Sequence, residues 1–136
     1  KVFGSYATGL YLPTSDIDAV LINTKCTVPA DGLRALANAL HRRNLANNLQ
    51  VIAKAKVPIV KFQERESGIW FDVSFDIVNG VAAAEWVCSK MTEIIALKPL
   101  CLVLKVFLQQ RELNEVYTGG VGSYALLTMI ICHLMT

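Results

Sequence analysis

The chain has no CxxC pair, no cysteine or histidine spacing that suits a metal, and no apolar run long enough to cross a bilayer. Its apolar end, Tyr124 to Met135, falls short of the about 20 residues a spanning helix needs, and His133 interrupts it. No membrane partner is expected. Cys26, Cys88, Cys101 and Cys132 are scattered through apolar runs, which predicts buried thiols in a reducing compartment and excludes a disulfide scaffold. Aromatic residues make up only 8% against 54% hydrophobic, so the core is expected to be aliphatic. A net charge of +2 is too small to identify a nucleic-acid ligand by electrostatics alone. No internal repeat or low-complexity tract appears. The 136 residues suffice for one real core. Neither an initiating Met nor a signal peptide is present, and the final helix stops without a cap, so the chain is expected to be a piece of a longer protein.

What the chain does have begins at once. Residues 3–18 read FGSYATGLYLPTSDID. Gly4 lets backbone approach a phosphate closely, and Ser5 adds a hydroxyl at an expected helix start. Asp16 and Asp18 then enter a strand, DIDAVLI, whose two-residue period puts both carboxylates on one face. Like charges so placed need a cation between them. Mg²⁺, which combines carboxylate oxygens with substrate phosphate oxygens, suits that place.

The pattern along the rest of the chain predicts an α+β fold, strands first and helices second. Residues 5–10 are expected as a short helix ended near Gly9 or Pro13, and 16–23 as a strand. Pro29 opens a helix with Leu33, Leu36, Ala37 and Leu40 on one face and His41, Arg42 and Arg43 in its last turns. Residues 49–56 and 59–63 read as strands broken by Pro58, and 69–77 as a strand. There Ile69, Phe71, Val73, Phe75 and Ile77 face the core, and Trp70, Asp72, Ser74 and Asp76 face the other way. Helices follow over 81–90, 99–111 and from 121 onward. The division is expected between 1–79 and 80–136.

Asp72 supplies a third carboxylate, while Asp76 reads as a surface residue. Lys105 is set in an otherwise apolar helical run, LKPLCLVLKVFLQQR, where a buried ammonium needs an anion. Asn79 reads as a helix N-cap. Thr118 to Tyr124 form a glycine-rich entry to a helix, a common turn by itself. Lys54, Lys56 and Lys61 with Arg42 and Arg43 make a modest basic cluster, either a solvated face or a surface for an RNA backbone. Trp70 and Trp86 read as packing residues.

The Gly-Ser pair followed by Asp-x-Asp on a strand resembles the signature of the DNA polymerase beta-like nucleotidyltransferases. The fuller wording FGSYATGLYLPTSDIDAVL is similar to noncanonical poly(A) polymerases of the TRAMP-complex type. Three further blocks, KAKVPIVKF (54–62), FDVSFDIVNGVAAA (71–84) and LVLKVFLQQRELNEVYTGGVGSYAL (102–126), resemble the same family in the same order. The resemblance implies a palm, a mixed sheet flanked by helices, followed by the start of a helical central domain with a nucleotide in the cleft between them. It implies template-independent addition of adenylates from ATP to RNA 3′ ends with Mg²⁺ or Mn²⁺ held by Asp16, Asp18 and Asp72. Asp72 would take the proton of the attacking hydroxyl. Gly4, Ser5, Lys105 and Ser123 would meet the triphosphate, Tyr124 would stack on the base, and Asn79 would reach the ribose. Some relatives carry a second lysine where this chain has Gln109. Nuclear RNA surveillance with a zinc-knuckle RNA-binding subunit and an RNA helicase is implied as well. A terminal uridylyltransferase, or an inactive scaffold that binds nucleotide or RNA, shares the same blocks.

Overall fold

The computed structural model describes all residues except 77 and 78 and the side chain of Tyr117. In chain order the elements are β1 (Val2–Phe3), α1 (Gly4–Thr8), β2 (Ile17–Leu21), α2 (Pro29–Arg42), β3 (Ala46–Ile52), β4 (Ile59–Glu64), β5 (Trp70–Phe75), α3 (Asn79–Glu93), α4 (Leu97–Gln110) and α5 (Ser123–Met135), with a 3₁₀ turn at Val116–Thr118. The chain divides into two compact units, Lys1–Glu85 and Trp86–Thr136.

In the first unit the five strands form one mixed sheet in the order β1-β2-β5-β4-β3. Only β2 and β5 run parallel; the other pairs are antiparallel. Alternation sorts the side chains. Val60, Phe62, Val73 and Phe75 join Leu33 and Ala37 of α2 in a buried cluster, with Ala19, Leu36, Leu40 and Phe71 packed against it. Pro29 sits in the first turn of α2 with Asp31, and His41 and Arg42 end it, as the helix dipole favours. Gly9, at φ 72°, closes α1 in the left-handed conformation that glycine adopts without strain.

Several boundaries depart from the sequence reading. The third strand begins at Ala46 and ends at Ile52, earlier than 49–56. Its register shifts between Asn47 and Gln50, and Asn48 takes a positive φ of 51° with its amide donating to Gln63 Oε1. A polar bulge of this kind hides the two-residue period. Ser74, expected on a polar face, is buried and donates to the Ala19 carbonyl at 3.4 Å, so that face is covered at this point. Ile77 lies outside the described residues. Asp76 is more than a surface residue: it accepts from the Asn23 backbone N–H at 2.7 Å and the Thr24 hydroxyl at 2.6 Å. Its own N–H donates to the Leu21 carbonyl, so Asp76 clasps the ends of β2 and β5. The Thr24 hydrogen bond, with the backbone N–H groups of Asn23 and Thr24, holds its carboxyl below the usual carboxylate range.

The cysteines correct an expectation. Only Cys101 is buried; Cys26, Cys88 and Cys132 are exposed, and all four are free thiols. Cys26 lies in the loop before α2, while Cys88 and Cys132 lie on exposed helix positions, where apolar neighbours in sequence do not mean burial in space. Burial raises the pKa of the Cys101 thiol, against the opposing charge of Lys105 one helical turn on. Among the described residues no helix is long and apolar enough to cross a membrane.

In the second unit α4 and α5 pack together. Leu97 and Cys101 of α4 are buried, as are Leu126, Leu127, Ile130 and Ile131 of α5. The run around Lys105, apolar in sequence on all sides, leaves Val103, Val106 and Phe107 exposed.

Candidate active site

A tight turn delivers the first carboxylate. The Ser15 N–H donates to the Leu12 carbonyl at 2.9 Å, and the Leu12 N–H returns a hydrogen bond to Ser15 Oγ at 3.1 Å. Pro13 and Thr14 occupy the corner, and Asp16 follows at the edge of β2. Asp18 and Asp72 are register partners on the parallel strands β2 and β5. Neighbouring strands lie about 4.8 Å apart, so the two carboxylates rise side by side from one face. Asp16, two residues before Asp18, shares that side. The row continues across the sheet in both directions, with Phe3 opposite Asp18 and Lys61 of β4 opposite Asp72.

Lys61 is the residue that sequence reasoning missed. Its ammonium forms an ion pair with Asp16 and another with Asp72 at 3.0 Å. It also lies 5.6 Å from the centroid of the Trp70 ring, within cation–π range. The signal was present in the strand itself: Val60 and Phe62 point into the core, which sends Lys61 to the carboxylate face. Its identity as a member of a basic cluster concealed this. Burial lowers the Lys61 pKa, but the hydrogen bonds and charges of Asp16 and Asp72 outweigh it, and the net shift is upward. Asp72 also titrates above its ordinary range, because burial outweighs the opposing hydrogen bond and charge of Lys61.

Gly4 meets this row from the side. It begins α1 at φ 66°, and a Cβ there would overlap the Asp18 carboxylate. The backbone therefore approaches Asp18 as only glycine permits. Phe3 precedes α1 without a side-chain cap, and half-buried Ser5 sits in its first turn.

Among the described residues no group of three His, Cys, Asp or Glu side chains is gathered closely enough to hold a metal ion. The donor chemistry nevertheless fits a hard divalent cation: Asp16, Asp18 and Asp72 offer only oxygen, share one face, and two of them already close on an ammonium.

The remaining expected site residues are placed as follows. Asn79 is the first described residue of α3 and is exposed. Lys105 is half-buried on α4. Ser123 opens α5 behind Gly122, and Tyr124 is exposed with its ring 6.3 Å from that of Trp86. The glycine-rich entry is fixed by backbone hydrogen bonds: Gly120 N–H to the Glu115 carbonyl and Val121 N–H to the Leu113 carbonyl, both 2.8 Å. Asp16, Asp18, Asp72 and Gly4 come together in the first unit, and Lys105, Ser123 and Tyr124 all belong to the second.

Comparison with known proteins identifies the family. Residues 1–89 match the family described as "Poly(A) RNA polymerase, mitochondrial-like, central palm domain". The chain is 43% identical over 134 residues to Poly(A) RNA polymerase protein 2 of Saccharomyces cerevisiae, covering 98% of this chain and 23% of that protein. A solved structure of the polymerase core of TRAMP, an RNA surveillance complex, superposes with a TM-score of 0.85 at 42% identity, over 96% of this chain and 41% of that one. A Drosophila melanogaster relative named an inactive non-canonical poly(A) RNA polymerase, Trf4-2, is 42% identical over 137 residues, 98% of this chain and 33% of its own length. The chain thus spans a third or less of the curated relatives named here. The mixed sheet with its flanking helices is the expected DNA polymerase beta-like palm, and the chain belongs to the family of noncanonical poly(A) RNA polymerases.

Proposed function

We propose that this chain is the catalytic core of a template-independent RNA 3′-end nucleotidyltransferase that adds adenylates from ATP. The observation that carries the reading is the register pairing of Asp18 with Asp72, with Asp16 beside them on the same face. Asp16, Asp18 and Asp72 would hold Mg²⁺ or Mn²⁺, which when bound lowers the pKa of the attacking 3′-hydroxyl and neutralises the triphosphate. Phosphoryl transfer asks little more of the protein than position and charge. Asp72, beside Asp18 on the neighbouring strand, is placed to accept the hydroxyl proton. Gly4 and Ser5 present α1 backbone and a hydroxyl to phosphate. Lys105 and Ser123 meet the triphosphate, Tyr124 stacks on the base and Asn79 reaches the ribose. Tyrosine stacking is tolerant of base identity, so the choice of ATP rests on other groups.

The likeness to the polymerase core of TRAMP supports work in RNA surveillance. The nucleus as the place of that work, and a zinc-knuckle RNA-binding subunit and an RNA helicase as partners, follow only from the resemblance of the sequence blocks to that family. The relative named inactive favours a second reading, a scaffold that keeps the fold without the chemistry. Against it stand the three carboxylates of this chain, all present on one face.

RNA extension by wild type beside Asp72→Asn separates the two, since a scaffold extends RNA in neither form. The substitution keeps shape and removes the proton acceptor. ATP–Mg²⁺ binding is expected to persist while RNA extension falls by on the order of 10²–10⁴-fold, the range for a lost general base. Extension at the wild-type rate would leave Asp72 without a chemical role.

A further inference from the structure

We propose that Lys61 is a resident counter-ion, a positioning residue that holds Asp16 and Asp72 together in the metal-free protein and yields them to the divalent cation. The proposal rests on the carboxylate face being the metal site.

The lysine is placed for this by the sheet. Its register partner is Asp72, and its neighbours Val60 and Phe62 are buried on the opposite face, so the backbone cannot carry the ammonium away. The two carboxylates it joins come from separate segments, Asp16 from the end of the Leu12–Ser15 turn and Asp72 from the middle of β5. Without a cation between them, these groups repel and the turn has no tie of this kind to β5. Side-chain exposures of 28%, 33% and 22% for Lys61, Asp16 and Asp72 put the cluster between bulk water and the interior. There the attraction is neither screened away nor bought at full desolvation cost.

A divalent ion entering the same face meets this ammonium as a like charge competing for the same carboxylates. Lys61 must then release at least one of them, and the Trp70 ring offers the displaced ammonium a second seat on the same strand pair. The lysine thus keeps the site assembled before the metal arrives and lowers the affinity with which the metal is held.

Calorimetric titration with Mn²⁺, paired with thermal unfolding in EDTA and in Mn²⁺, tests this on wild type, Lys61→Met and Lys61→Arg. Lys61→Met should bind Mn²⁺ more tightly by on the order of tenfold, the effect of removing one like charge from a half-buried site. It should also unfold at a lower temperature than wild type in EDTA, with the gap closing in Mn²⁺. Lys61→Arg keeps the charge and should follow wild type in both. A variant that folds only with Mn²⁺ gives the same result in stronger form. Unchanged or weaker Mn²⁺ affinity in Lys61→Met, an unfolding deficit that Mn²⁺ does not close, or Lys61→Arg behaving like Lys61→Met would each overturn the proposal. Asp18→Ala separates this failure from failure of the metal site. Mn²⁺ uptake lost in Asp18→Ala but indifferent to Lys61 overturns the counter-ion alone, whereas no uptake by wild type removes both.

Discussion

Asp18→Ala should abolish nucleotide addition, by on the order of 10³-fold or more, while the protein stays folded. The variant removes one oxygen donor from a set of three and leaves the phosphate charge poorly neutralised during transfer. Folding should survive, because Asp18 is one polar residue on the carboxylate face, the register partner of Asp72, and is not part of the apolar cluster between the sheet and α2. Asp16→Ala should lose activity equally but behave differently in stability. Asp16 is paired with Lys61, so its removal breaks an ion pair of a half-buried cluster, at a cost of about 1 kcal/mol. Parallel assays of RNA extension and chemical denaturation check both. Extension by Asp18→Ala within tenfold of wild type would contradict the assignment.

Gly4→Ala carries the second large effect, and does so without changing any charge. Left-handed backbone at φ 66° costs alanine about 1 kcal/mol relative to glycine. The larger consequence is local. The new Cβ overlaps the Asp18 carboxylate, which must swing from its place. A displacement of that size at a reacting centre costs on the order of 10²-fold in rate. Extension kinetics should show a fall of that order with only a small loss in unfolding temperature. A variant as active as wild type would mean that the Gly4 approach to Asp18 has no bearing on catalysis.

The carboxylate face was legible in the chain because alternation survives translation into structure: Asp18 on one strand and Asp72 on another each announce their side, and Asp16, expected to open the strand, lies just before it. What alternation cannot give is register. The pairing of Asp18 with Asp72, and of Asp72 with Lys61, depends on how three strands align, and no local pattern encodes that. Lys61 was therefore grouped with Lys54 and Lys56 by charge, although its apolar neighbours mark it as facing the carboxylates. Asp76 escaped for a related reason, since its partners Asn23 and Thr24 are distant in sequence and meet it only where β2 and β5 end together. The third strand was misjudged because Asn48 breaks its period. Cysteine burial was misread from sequence neighbours, which on a helix point in every direction.

The most direct measurement of the central claim is extension of a labelled oligo(A) RNA in Mg²⁺ with each nucleoside triphosphate supplied alone, wild type beside Asp18→Ala. The account predicts a ladder of products with ATP, weaker or no extension with the other triphosphates, and none from the variant with any of them. Equal ladders from wild type and Asp18→Ala, or no extension by wild type with any triphosphate, would contradict it.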